Sequence, residues 1–211
     1  MTSDGETLEA RAAADLGGAA EGLLVRYDEP WRAYHTREHL REMLVALDAL
    51  LAEFRLELGL GTDESRTARL ALWFHDAVYD PRRPDNEDRS ADLARSTLGA
   101  LGEPAALVDR VADLVRATAA HRVDEADLAG MALMDADLWI LAAPPIRYAE
   151  YVRQVRREYA HVGDGDFAVG RRTVLTDLAG RERLYRTPLA HAEWEPRARR
   201  NIEAELEHMA S

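Results

Sequence analysis

The run Leu72-Trp73-Phe74-His75-Asp76-Ala77-Val78-Tyr79 sets a histidine and a carboxylate side by side inside an otherwise apolar stretch with helical spacing. Burying even an uncharged polar group without a partner costs roughly 2–7 kcal/mol, and an ionised carboxylate more. A metal ion or a tight partner is the expected compensation. Without one, His75 would cap a carbonyl and Asp76 would face water. The choice between these readings turns on whether other residues with ligand chemistry recur at suitable spacing.

The chain has ample apolar material for a core, with 47% hydrophobic content in 211 residues. One domain is the simpler organisation: a helical segment over 1–30 packed on a domain over 31–211. Apolar residues return every three or four positions, with no strand-like alternation of useful length and no internal repeat. The pattern predicts an all-α bundle of about eight or nine helices. No segment reaches the roughly 18 uninterrupted apolar residues of a membrane span, and Met1–Glu6 lacks the basic and apolar regions of a signal peptide. A soluble, cytoplasmic chain without a membrane partner is therefore expected. There is no cysteine, so any metal must be held by His, Asp and Glu, which points to an N/O-ligated divalent ion. The formal net charge of -12 argues against a nucleic-acid polymer as partner. A small anionic substrate is compatible with it, because charges screen over roughly 8–10 Å and local groups decide what a pocket holds.

Residues 7–27 read as helical but interrupted at Gly17-Gly18, and no function attaches to them. After the turn Glu29–Tyr34 comes an amphipathic helix with Leu40, Met43, Leu44, Leu47, Leu50, Leu51 and Phe54 on one stripe, ended by Gly59 and Gly61. His35 and His39 lie one turn apart at its start. Thr36 can cap this helix with both histidines exposed, or the pair can flank the stripe. A helix from about Asp63 to Tyr79, stopped by Asp80-Pro81, delivers His75-Asp76 near its end. The charged, proline-stiffened loop 80–86 is a plausible rim. Asp85 or Asn86 can cap the next helix, and Glu87 and Arg89 in its first turn either serve that cap or reach the site. Glu103-Pro104 opens a helix whose apolar line runs through Thr118 to His121. Next, Asp137 falls on the stripe of Leu133, Met134, Leu138 and Leu141, whereas Asp135 points more than a quarter turn away. A helix from Ile146 to Val162 carries Tyr148, Tyr151, Val152, Val155 and Tyr159 among arginines. Gly163–Asp166 reads as a turn, and helices follow from Phe167 to Ala179 and from about His191 to Met209.

His39, the adjacent His75 and Asp76, and Asp137 thus come from three helices, and two imidazoles with two carboxylates neutralise a divalent cation while leaving open positions. In this order they resemble the H…HD…D signature of the HD superfamily of metal-dependent phosphohydrolases. Tyr34-His35-Thr36-Arg37-Glu38-His39 is similar to the Tyr-His-Asn-x-x-His motif of its cyclic nucleotide phosphodiesterases, departing at Thr36, and Ala136-Asp137-Leu138 to their late Asp-Leu-Ser. The chain also resembles a bacterial group of predicted HD phosphohydrolases from about Trp31 to Leu206. The shared segments include Asn86-Glu87-x-Arg89-Ser90-Ala91, Thr118-x-x-His121, Asp135-x-Asp137-Leu138, Arg157-Glu158-Tyr159 and Gly170-Arg171.

The resemblance implies a helical domain that hydrolyses a small phosphorylated substrate, such as a nucleotide, with one divalent ion (Mn, Mg, Co, Ni, Fe or Zn) and room for a second. His39, His75, Asp76 and Asp137 would be its ligands. Asp76 would also orient water, and His35 would be a general acid or an orienting group. Glu87 and His121 would contact a second ion, water or substrate. Arg89, Arg157 and Arg171, with Tyr159, are candidates to hold the substrate, the arginines equally fitting surface ion pairs. A di-iron oxygenase using His121 and Glu87, and a binding module without turnover, are the alternatives.

Overall fold

Thr36 does cap the long helix, its Oγ1 accepting the Glu38 N–H at 3.3 Å, and the predicted stripe from Leu40 to Phe54 is buried. Gly59, at φ +68°, takes the left-handed conformation that ends the run. The structure, a computed structural model, describes residues 6–209; the first residues, on which the signal-peptide expectation rests, lie almost wholly outside them. The described residues contain no strand, and their helices are α1 (Leu8–Leu16), α2 (Ala20–Leu24), α3 (Arg37–Glu57), α4 (Thr62–Phe74), α5 (Asn86–Ala100), α6 (Ala105–Ala117), α7 (Leu128–Asp137), α8 (Pro145–Glu158), α9 (Asp164–Gly180), α10 (Pro188–Glu193) and α11 (Glu195–His208). The excess over eight or nine arises because a 3₁₀ turn at Gly17 divides the N-terminal run and the chain breaks at Trp194, ahead of Pro196 at the start of α11. α9 begins at Asp164, so the expected turn at Gly163–Asp166 is its cap and first residues.

α4 is the central element, packed against α1, α3, α5, α6 and α7. Leu70, Ala71, Leu72, Trp73 and Phe74 are wholly buried, at about 1.5–3 kcal/mol for each large side chain. Contrary to the expectation that this helix runs to Tyr79, it stops at Phe74, and His75-Asp76 stand in the turn that follows. Asp80-Pro81 is not the stop. The carbonyls that would have continued the helix are taken by side chains of the N-terminal segment. Tyr27 Oη donates to the Trp73 carbonyl at 2.8 Å, Arg32 to the carbonyls of Asp76 and Ala77 at 2.8 and 3.3 Å, and Trp31 Nε1 to that of Tyr79 at 3.0 Å. Asp15 in turn accepts from Trp73 Nε1 at 2.9 Å. Residues 7–32, silent in the sequence, thus terminate the central helix.

α7 corrects a second expectation. Its residues from Ala129 to Ala136 are all buried, so it has no solvent face and periodicity cannot rank its acids. Asp135 is only 2% exposed, and it accepts the backbone N–H groups of Arg186 and Thr187 at 2.9 and 2.7 Å. Burial pushes its carboxyl up to about 6 despite those bonds. No single helix among the described residues is long and apolar enough to cross a membrane.

The Tyr27 bond is a direct test of how α4 ends. Tyr27→Phe leaves a buried carbonyl without its partner and is expected to cost about 1–3 kcal/mol, read as a lower urea midpoint with unchanged slope. Val45→Ala, at a site 70% exposed, should stay within about 0.5 kcal/mol of the parent.

Candidate metal centre

The C-termini of α4 and α7 and the N-terminus of α3 meet at one point, where each delivers a ligand-type side chain. His39 sits in the first turns of α3, His75 and Asp76 follow α4, and Asp137 is the last residue of α7. Helix C-termini carry partial negative charge, which favours a cation between them. Ligand atoms of His39, His75 and Asp137 lie within 4.8 Å of one another. The two Nε2 atoms face each other at 3.1 Å. Asp137 Oδ1 lies 3.4 Å from His39 Nε2 and 3.7 Å from His75 Nε2. Asp76 Oδ2 approaches the same nitrogens at 3.7 and 3.0 Å.

These separations fit a cation. Ligands on bonds of about 2.1 Å stand about 3.0 Å apart at right angles and about 3.4 Å apart at the tetrahedral angle. His75 Nδ1 is 2.7 Å from the Leu72 carbonyl and donates to it, which leaves Nε2 as a lone pair aimed at the centre, the tautomer a metal ligand needs. Beside them the Tyr34 hydroxyl is buried without a hydrogen-bond partner. Without a cation the charges settle on the imidazole. Burial disfavours a charged His75, yet the Asp76 and Asp137 carboxylates raise its pKa to about 9. Burial also opposes ionisation of Asp137, but the charge of His75 and hydrogen bonds from His121 and His39 hold it well below the usual carboxylate range.

His35 stands at the edge of this cluster, its Nε2 3.9 Å from Asp76 Oδ2. Behind it lies Glu158, which no reading of the sequence singled out. Glu158 Oε1 accepts three successive backbone N–H groups, Ala33, Tyr34 and His35, at 2.7, 2.8 and 3.0 Å. Its Oε2 takes the Tyr79 hydroxyl at 2.8 Å and His35 Nδ1 at 2.7 Å. Burial works against a charged Glu158, but His35 and these bonds lower it to about 2. Burial likewise disfavours the imidazolium of His35, which the charges of Glu158 and Asp76 nonetheless raise above its ordinary pKa. A signal for Glu158 did exist: it continues the row Tyr148, Tyr151, Val155 of α8, an acid on a buried stripe just as Asp137 was.

A cavity of about 880 Å³ opens over the cluster, lined by His35, Asp76, Glu87, His121, Asp137 and Tyr159 among others. His121 arrives by a different route from the expected one. α6 ends at Ala117, and a turn with His121 at φ +49° swings Nε2 to 2.9 Å from Asp137 Oδ2. Asn86 fastens the rim loop, accepting the Asp80 N–H and donating to the carbonyls of Asp80 and Arg83.

The arginines separate. Arg171 lines the cavity, but its guanidinium is committed to Glu205 at 2.8 and 3.0 Å and to Tyr151 Oη at 2.9 Å. Arg89 is exposed on α5 outside the cavity, because the first turn of that helix points Asn86 and Glu87 inward. Arg157 faces a different cavity, one residue along α8 from the inward Glu158. Arg122, which sequence reading passed over, lines the cavity beside His121, exposed and without an ion-pair partner among the described residues.

The His75 pKa of about 9 gives the centre a pH signature. In the cation-free chain it lies above the unfolded value of about 6.5, so the stability it contributes is complete below about pH 6.5 and lost as pH rises through about 9. A cation displaces that proton, and its apparent affinity should climb about tenfold per pH unit between pH 7 and 9. Melting curves across this range, with and without Mn²⁺ or Zn²⁺, check both: the chelated protein loses melting temperature towards pH 9, and the gap to the loaded protein widens. No family model, curated protein or solved structure matches the chain, and its geometry is the ground for a functional reading.

Proposed function

We propose that this chain is a metal-dependent phosphohydrolase acting on a phosphate ester or anhydride of a small molecule, a nucleotide being the class that best suits its cavity. The observation that carries the reading is the meeting of His39, His75, Asp76 and Asp137 beneath an open cavity, with the His35–Glu158 pair on its wall. The order of these residues resembles the HD superfamily, and an all-helical fold is what that resemblance implies.

His39, His75, Asp76 and Asp137 would hold the cation. When bound, a divalent ion supplies Lewis acidity and acidifies water from a pKa of 15.7 towards about 7. Asp76, partly open to the cavity, accepts a hydrogen bond from the attacking water and sets its direction. His35, charged between Glu158 and Asp76, holds a proton on Nε2 for the leaving oxygen, an assistance typically of about 10²–10⁴-fold. Glu158 is a positioning residue, since it fixes the ring through Nδ1 and keeps it protonated. Arg122 offers an uncommitted guanidinium to the phosphate, the role first expected of Arg171. A second ion would have His121 and the free side of the Asp137 carboxylate to hold it, since Asp137 turns Oδ1 to His39 and Oδ2 to His121.

The test is phosphate release from a nucleotide and sugar-phosphate panel with each of Mn, Mg, Co, Ni, Fe and Zn. Turnover should vanish with chelator and fall at least about 10³-fold in Asp76→Ala; no turnover across the panel, with metal bound, sinks the hydrolase reading in favour of an oxygenase if two irons are held and a binding module if one ion is. Arg122→Ala should raise KM about tenfold with kcat little changed. Activity should decline as pH rises through the raised His35 pKa. Glu158→Gln should move that decline to lower pH and reduce kcat, whereas a purely structural Glu158 would leave the profile in place.

A further inference from the structure

Arg157, which the resemblance marked for substrate, lines a cavity of about 460 Å³ that shares no wall residue with the one above the metal centre. Its other walls include Trp31, Arg82, His161 and Asp80. The two cavities lie on opposite sides of the Tyr79–Glu158 hydrogen bond. The charges here are unlike those of the rest of an acidic chain. Arg83 is paired with Asp85 at 2.6 Å and Arg156 with Asp164 at 2.6 Å. Their neighbours Arg82 and Arg157 are exposed and have no ion-pair partner among the described residues. The two carboxylates on the wall are already engaged. Glu158 is saturated by the bonds described above, and Asp80 Oδ1 accepts the Arg82 backbone N–H at 3.0 Å. Trp31 is 52% exposed, and its indole N–H is tied to the Tyr79 carbonyl. Its ring is thereby held in a fixed orientation at the cavity wall.

We infer that this cavity is a second binding site, separate from the metal centre, for a small phosphorylated molecule with a flat ring, of the nucleoside monophosphate class. Arg82 and Arg157 take the phosphate, with the His161 ring beside them on the wall. Trp31 stacks on the ring, a contact that needs an aromatic face already held in place. The volume lies within the range that encloses such a molecule. A ligand seated there touches Glu158, which holds His35 through Nδ1 and its backbone N–H, and Ala33, whose N–H the same carboxylate accepts.

The test uses the full chain with its metal removed by chelator, which keeps it independent of the hydrolase reading. Adenosine monophosphate is titrated, with tryptophan fluorescence and calorimetry as readouts, and adenosine and inorganic phosphate are titrated separately. One saturable site is expected, weakened at least tenfold in the Arg82→Ala/Arg157→Ala double variant, unchanged in Arg122→Ala, and with its fluorescence change abolished in Trp31→Phe. Arg82, Arg122 and Arg157 are exposed, so their variants keep the fold, and Trp31→Phe, which gives up the indole bond to the Tyr79 carbonyl, is used with its circular dichroism spectrum checked against the parent. Adenosine or phosphate alone should bind at least tenfold more weakly. Absence of saturable binding, equal affinity in the double variant, loss of binding in Arg122→Ala, or either fragment binding as tightly as the whole would each overturn the proposal.

Discussion

Two imidazole nitrogens 3.1 Å apart, with a carboxylate oxygen on each flank, cannot all keep their solution charges inside a helical bundle. Either a proton or a cation must sit among them, and the rest of the structure is arranged around that requirement. The carboxylates lower their own pKa values by raising that of His75. A divalent ion held by His39, His75 and Asp137 would resolve the same conflict. The fold makes this tenable by placing the cluster where two helices end, so that backbone dipoles and side chains favour the same charge.

The cluster exists because α4 stops when it does. Had it run on to Tyr79, Asp76 would have been carried round the helix, away from the turn in which its Oδ2 lies 3.0 Å from His75 Nε2. The stop is imposed from outside, by Tyr27 taking the carbonyl of Trp73, Arg32 those of Asp76 and Ala77, and Trp31 that of Tyr79. Glu158 performs the complementary task on the facing strand of loop, gathering three N–H groups and one imidazole on a single carboxylate. Such a bond set concentrates order in few residues: losing one carboxylate would free the loop, the His35 ring and the Tyr79 hydroxyl together.

Much of the site was legible as chemistry set against pattern. His75 and Asp76 stand in an apolar run where an ionisable group needs a reason, and His39 begins a strongly amphipathic helix. Glu158 obeys the same logic and was hidden only by the arginines around it. Asp135 was not legible, because a helix buried all round has no polar face against which to measure an odd residue. The arginines were not legible either. Arg89, Arg122, Arg157 and Arg171 are alike in sequence, and only packing reveals that one is committed to Glu205, one is turned to solvent, one sits beside His121 and one faces a second cavity.

By itself the sequence determined the all-helical class, the apolar stripes and the exclusion of thiolate ligands, because these follow from residue type and from the period of 3.6. The tertiary structure alone decided where α4 ends, which arginines keep a free guanidinium, and that Glu158 stands behind His35. The first and last of those depend on hydrogen bonds between residues far apart in the chain, 46 residues for Tyr27 and Trp73 and 123 for His35 and Glu158, and the commitment of Arg171 spans 34. Local periodicity carries no information about such partners. They are set only when the helices pack and every buried donor and acceptor must find one.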